Sequence, residues 1–124
     1  MDVAGADIYF YRDVDKSIPV LHWLDSLPKK VQIKCVQRVN RLSEQGHELR
    51  RPEADFLRDE IYELRASYQG VHYRLLYFFA GKSVVVLSHG LTKEQSVPTK
   101  EIDKAILRKQ QVAADFFRFT YHPD

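Results

Sequence analysis

Cysteine is almost missing from these 124 residues: Cys35 is the only one. No disulfide can form within the chain, which excludes a small secreted scaffold held by bridges and fits a reducing, cytoplasmic setting. The five histidines (His22, His47, His72, His89, His122) are scattered and no pair stands at metal-ligand spacing, so neither a structural zinc site nor another cofactor is expected. Long apolar runs are also missing. Nothing approaches the ~20 apolar residues of a membrane helix, and residues 1–7 lack the basic and apolar segments of a signal peptide. There is no glycine-rich phosphate loop, no Gly-x-Ser-x-Gly elbow, no repeat and no low-complexity linker. Charge is nearly balanced at +2, which by itself announces no polyanionic partner.

What is there points to one folded domain spanning 1–124. With 44% hydrophobic residues the chain can bury a single core and is too short for two. The stretch 59–91 organises it. Residues 60–65, 71–79 and 83–87 are rich in β-branched and aromatic side chains, and Gly70 and Gly81 stand in the breaks between them. That pattern predicts a three-stranded antiparallel meander. Alternation along 71–79 puts Val71, Tyr73, Leu75, Tyr77 and Phe79 on one face, and His72, Arg74, Leu76 and Phe78 on the other. The second face mixes apolar bulk with a cation and needs a cover, either a helix of this chain or another protein.

Around the meander, residues 7–12 read as an aromatic strand. Ser17 is placed to cap a short helix reaching about Ser26, and Pro28 suits the first turn of a longer helix running to about Gln45. In that helix Val31, Cys35, Val39 and Leu42 recur every three or four positions, so Cys35 reads as core packing, and Gly46 can end it. Residues 47–57 read as a connecting loop around Pro52. Gly90 lets the chain turn after the third run. Pro98 closes the strand region, and Thr99 can cap a last helix with Glu101 near its positive end. The aromatic tail 116–121 either closes over the sheet, the favoured reading, or waits for a partner. The expected fold is thus α+β: a small antiparallel sheet with helices packed on it, in the order β-α-α-β-β-β-α.

Charge is unevenly placed even though it nearly cancels. Between Leu27 and Arg51 there are seven Lys or Arg (Lys29, Lys30, Lys34, Arg38, Arg41, Arg50, Arg51) and two acids (Glu44, Glu48), which is either a solvated helix face or a surface for a polyanion. Within the meander, Arg65, Arg74 and Lys93 are spaced so that neighbouring strands can bring three cations to one patch. Each has a plain alternative: Arg65 as an ion pair with Glu63 or Asp59, Arg74 paired to a carboxylate across the sheet, Lys93 in water. His89 and His72 lie near the patch, and Tyr68 is expected to face it from a turn.

The run Ile61-Tyr62-Glu63-Leu64-Arg65, then Gly70, Arg74, Tyr77-Phe78, Val86-Leu87, Gly90-Leu91-Thr92-Lys93, Pro98, Glu101-Ile102 and Ala105, resembles the RelE/HigB superfamily of toxin–antitoxin toxins, in particular its phage-derived branch. The likeness covers roughly residues 9–110, with five separated elements in order. It implies a ribosome-dependent endoribonuclease that cuts messenger RNA without a metal and is neutralised by a cognate antitoxin, often a helix-turn-helix DNA-binding protein. It further implies Arg65 and Arg74 as ligands of the phosphate and transition state, and Lys93 as the basic residue after the last strand; by their place near the patch, His89, His72 and Tyr68 are the candidates for acid and base. One departure stands out: many members carry two lysines where this chain has Lys93-Glu94, which weakens phosphate attraction. The ParE branch of the same fold implies a different toxin, one that inhibits gyrase by binding, and a phage-derived adaptor gripping one protein through the mixed sheet face is a third reading.

Overall fold

The computed structural model describes residues 5–92 and 96–123. In chain order its elements are β1 (Asp7–Tyr11), α1 (Pro19–Asp25), α2 (Lys29–Gln45), a 3₁₀ turn (Gly46–Glu48), β2 (Ala54–Arg58), β3 (Ile61–Tyr68), β4 (Val71–Phe79), β5 (Val84–Thr92), α3 (Thr99–Ala114) and β6 (Thr120–Tyr121). The class is α+β, as expected, but the sheet is neither small nor purely antiparallel. Six strands lie in the order β2-β3-β4-β5-β1-β6, and β1 runs parallel to β5 with Tyr9 opposite Val86.

Two strands enlarge the expected set. The first, β2, lies inside the segment read as a loop and pairs antiparallel with β3, Ala54 opposite Leu64. Its turn to β3 consists of Asp59 and Glu60, both at positive φ (51° and 64°), the geometry of a two-residue type I′ hairpin. The second, β6, comes from the aromatic tail, which joins the sheet beside β1 instead of merely covering it. Phe119 is buried there and Phe116 packs edge-on against Tyr9.

Alternation divides the sheet into two faces, each with its own core. Leu64, Leu75, Tyr77 and Leu87 meet Val20 of α1 and Val31, Cys35 and Leu42 of α2. Burial pushes the Cys35 thiol up to about 11, so it packs as an apolar group. On the opposite face, Ile61, Leu76, Phe78 and Val86 meet Ile102, Ala105 and Val112 of α3. The cover for the mixed face of β4 is therefore the last helix. Tyr11 Oη donates to Gln111 Oε1 at 2.6 Å and Arg108 Nη1 to the Ser88 carbonyl at 3.2 Å, fixing that helix to β1 and β5.

Four local expectations change. Ser17 does not cap α1, which starts at Pro19 after Ile18; Pro28 stands in the capping position of α2 and not in its first turn; and Thr99 does not cap α3 but is its first residue, after Pro98. Gly90 is not a turn residue: it lies within β5, and a Cβ there would collide with the ring of Trp23. Its missing side chain lets α1 approach the strand.

Candidate functional site

The register of the β3–β4 hairpin decides which side chains meet. Gln69 and Gly70 turn it tightly, both at positive φ, and set Arg65 directly opposite Arg74, with Glu63 opposite Leu76 and Ser67 opposite His72. Residues directly opposite project to the same face, so Glu63, Arg65, Ser67, His72 and Arg74 share one. Two guanidinium groups facing each other repel, and Glu63 answers both. Its carboxylate accepts from Arg65 Nη2 at 2.8 Å and lies 3.2 Å from Arg74 Nε, while being only 3% exposed. Asp55 on β2 takes a further bond from Arg65 Nη2 at 3.1 Å and pairs with Arg51 at 2.9 Å. Three guanidinium groups thus share two carboxylates, which holds their forks in place and leaves an excess of positive charge.

A second set of cations reaches the same place from α2. Pairing between β2 and β3 begins at Ala54 and Leu64, so beyond it this edge of β3 has no strand beside it. There Arg65 N–H donates to the Glu53 carbonyl at 2.8 Å, and Arg38 Nε of α2 donates to the Arg65 carbonyl at 2.9 Å. Glu53 anchors Arg41 at 3.1 Å and draws Arg38 to 3.6 Å, and these arginines hold its carboxyl below the usual carboxylate range. Around this edge lies a groove of about 470 Å³ lined by Lys34, Arg38, Arg65, Ser67, His72 and Arg74, with Pro52, Ala66 and Tyr73 completing its wall.

The groove joins two of the three predicted cations. Lys93 lies outside the described residues. His72, half of a pair with Ser67 (Nδ1 to Oγ, 3.1 Å), is exposed at the groove. His89 is placed otherwise. It shares the sheet face with Leu76 but is 6% exposed beneath α3, with Nδ1 against Ser88 Oγ at 2.7 Å and Nε2 against Glu101 Oε1 at 3.0 Å. Burial, with Arg108 adding to it and Glu101 opposing, pushes its pKa down to about 4. It stays neutral at pH 7 and does not line the groove. Tyr68 does not face the patch either: it falls on the Leu64 and Ala66 side of β3 and packs with the α1/α2 core, because alternation carries it to the other face.

Residues 22–110 match the family described as Phage derived protein Gp49-like (DUF891), a span that takes in every residue of the groove. The chain belongs to the Gp49-like family. That family is one of RelE/HigB-like toxins of toxin–antitoxin systems. No curated protein matches the chain. In this Gp49-like chain, reasoning from sequence passes over Lys34, Arg38, Asp55 and Ser67 as parts of the site. The basic run on α2 was the signal for the first two, while Asp55 sat in a segment without a strand pattern. Among the described residues no helix is long and apolar enough to cross a membrane.

Proposed function

We propose that the groove is the catalytic site of a toxin that cleaves messenger RNA on the ribosome and is held inactive by a cognate antitoxin. The observation that carries this reading is the cross-strand pair Arg65 and Arg74, set by the hairpin register and oriented by Glu63, lining an open basic groove beside His72 and Ser67. Cleavage of RNA by its own 2′-hydroxyl needs a proton acceptor, a proton donor and fixed positive charge at the phosphorane. Arg65 and Arg74 supply the charge. The bonds from Arg65 to Glu63 and Asp55 run through Nε and Nη2, which leaves Nη1 to meet a phosphate oxygen. His72 is the exposed group of the right type for proton transfer, with Ser67 steadying Nδ1 at 3.1 Å. Membership of a toxin–antitoxin family supports an antitoxin partner, and a helix-turn-helix protein encoded beside the gene is the form expected.

The test is induced expression. Wild-type chain arrests translation and leaves transcripts with 5′-hydroxyl and 2′,3′-cyclic phosphate ends, the products of internal 2′-hydroxyl attack. Arg65→Ala and Arg74→Ala each lower cleavage on the order of 10²-fold in protein that still folds. Arrest that persists without cut transcripts in the double variant overturns the nuclease reading in favour of a poison that acts by binding, as in gyrase inhibition.

A further inference from the structure

The groove, at about 470 Å³, has more room than one phosphate requires, and its two halves belong to opposite faces of the sheet. Arg65, Ser67, His72 and Arg74 project to the α3 face, whereas Lys34 and Arg38 come from α2 on the other side. They meet because β2 leaves the last part of β3 uncovered. The bond from Arg38 Nε to the Arg65 carbonyl fixes the helix against that edge at 2.9 Å. Lys34 sits one helical turn before Arg38 on the same side of α2. It is exposed, and among the described residues no carboxylate pairs with it. Arg38 is held by Glu53 and the Arg65 carbonyl, so its position is fixed before any ligand arrives.

We infer that Lys34 and Arg38 form a second phosphate subsite, which holds the backbone next to the phosphate gripped by Arg65 and Arg74 as a single strand bends over this edge of β3. The subsite rests on the reading of the groove as an RNA site and narrows it to unpaired RNA. A strand passing from one sheet face to the other must turn around a polypeptide edge, which a stacked duplex of long persistence cannot do.

The experiment measures anisotropy of a 5′-fluorescein 2′-O-methyl decauridylate, which lacks the attacking hydroxyl, bound to the full chain between 50 and 200 mM salt. Lys34→Ala lowers the slope of log affinity against log salt by about 0.7, the release of one counterion from a single strand. Lys82→Ala, in the turn at the far end of β4, leaves the slope unchanged. A duplex of the same strand with decariboadenylate binds at least tenfold more weakly. Equal slopes for wild type and Lys34→Ala, an equal loss from Lys82→Ala, or equal affinity for the duplex each overturn the subsite. The outcome is separable from that of the cleavage assay. Binding with the predicted slopes but no cut transcripts leaves the subsite and removes the nuclease, whereas cut transcripts with equal slopes do the reverse.

Discussion

Glu63 stands between Arg65 and Arg74 and decides whether that pair can exist. Like charges directly opposite on neighbouring strands are unfavourable, yet here both guanidinium groups turn to one buried carboxylate, at 2.8 and 3.2 Å. Removing that carboxylate takes away the anion the two guanidinium groups share, and with Arg65 still bonded to Asp55 at 3.1 Å the loss is about 1–3 kcal/mol. Glu63→Ala therefore destabilises the fold by roughly that amount, seen as a fall in the urea midpoint. Asp55→Ala costs less, because Asp55 lies nearer solvent and Arg65 keeps Glu63. Equal effects from the two would show that Glu63 is not the common anchor. At this scale the pairing of Arg65 with Glu63 was legible in the sequence from their spacing of two along a strand. Tyr68, expected to face the patch from a turn, lies within β3 and alternates with Leu64 and Ala66, so parity carries it to the α1/α2 face instead.

Among elements, β4 and α2 follow from periodicity alone, since each carries its apolar side chains at one clear spacing. β2 does not. It is five residues long, follows Pro52, and turns into β3 through Asp59-Glu60 where a hairpin of this type favours Asn-Gly. Without glycine as punctuation, Ala54–Arg58 has no local signal and exists because β3 offers it a partner. The same turn makes a prediction. Glu60 sits at φ 64°, a conformation that costs an L-residue roughly 1 kcal/mol or more and costs glycine nothing sterically. Glu60→Gly therefore raises stability by up to about 1 kcal/mol, a gain of a few degrees in the melting temperature that calorimetry resolves. A loss of stability would mean that the Glu60 side chain makes a contact outweighing the strain. The close approach of α1 to β5 was likewise hidden. Gly90 reads as a turn glycine until Trp23 is found lying on it, and that packing joins residues far apart in sequence.

At the scale of the molecule, the groove exists because α2 docks against the uncovered part of β3 while α3 closes the opposite face. The hairpin half of the site could be anticipated from one local register. The helical half could not, because no local pattern states where α2 lands. The docking of α3 is itself pH-dependent through His89, which lies under its first turn between Ser88 and Glu101, with Arg108 and Lys104 nearby. Burial lowers its pKa from 6.5 to about 4. An unfolded chain takes up a proton at that ring near pH 6.5, and the folded chain does so only near 4. Between those values the unfolded state binds more protons, so stability is complete above pH 6.5 and is lost progressively as pH falls toward 4. Urea midpoints at pH 7.5, 6.0 and 5.0 test this against His89→Gln, which keeps an amide near Glu101 but cannot titrate. The wild-type midpoint drops more steeply over the interval than that of the variant. Parallel curves would assign the acid sensitivity to other groups and leave His89 as a neutral packing residue whose titration does not reach the fold.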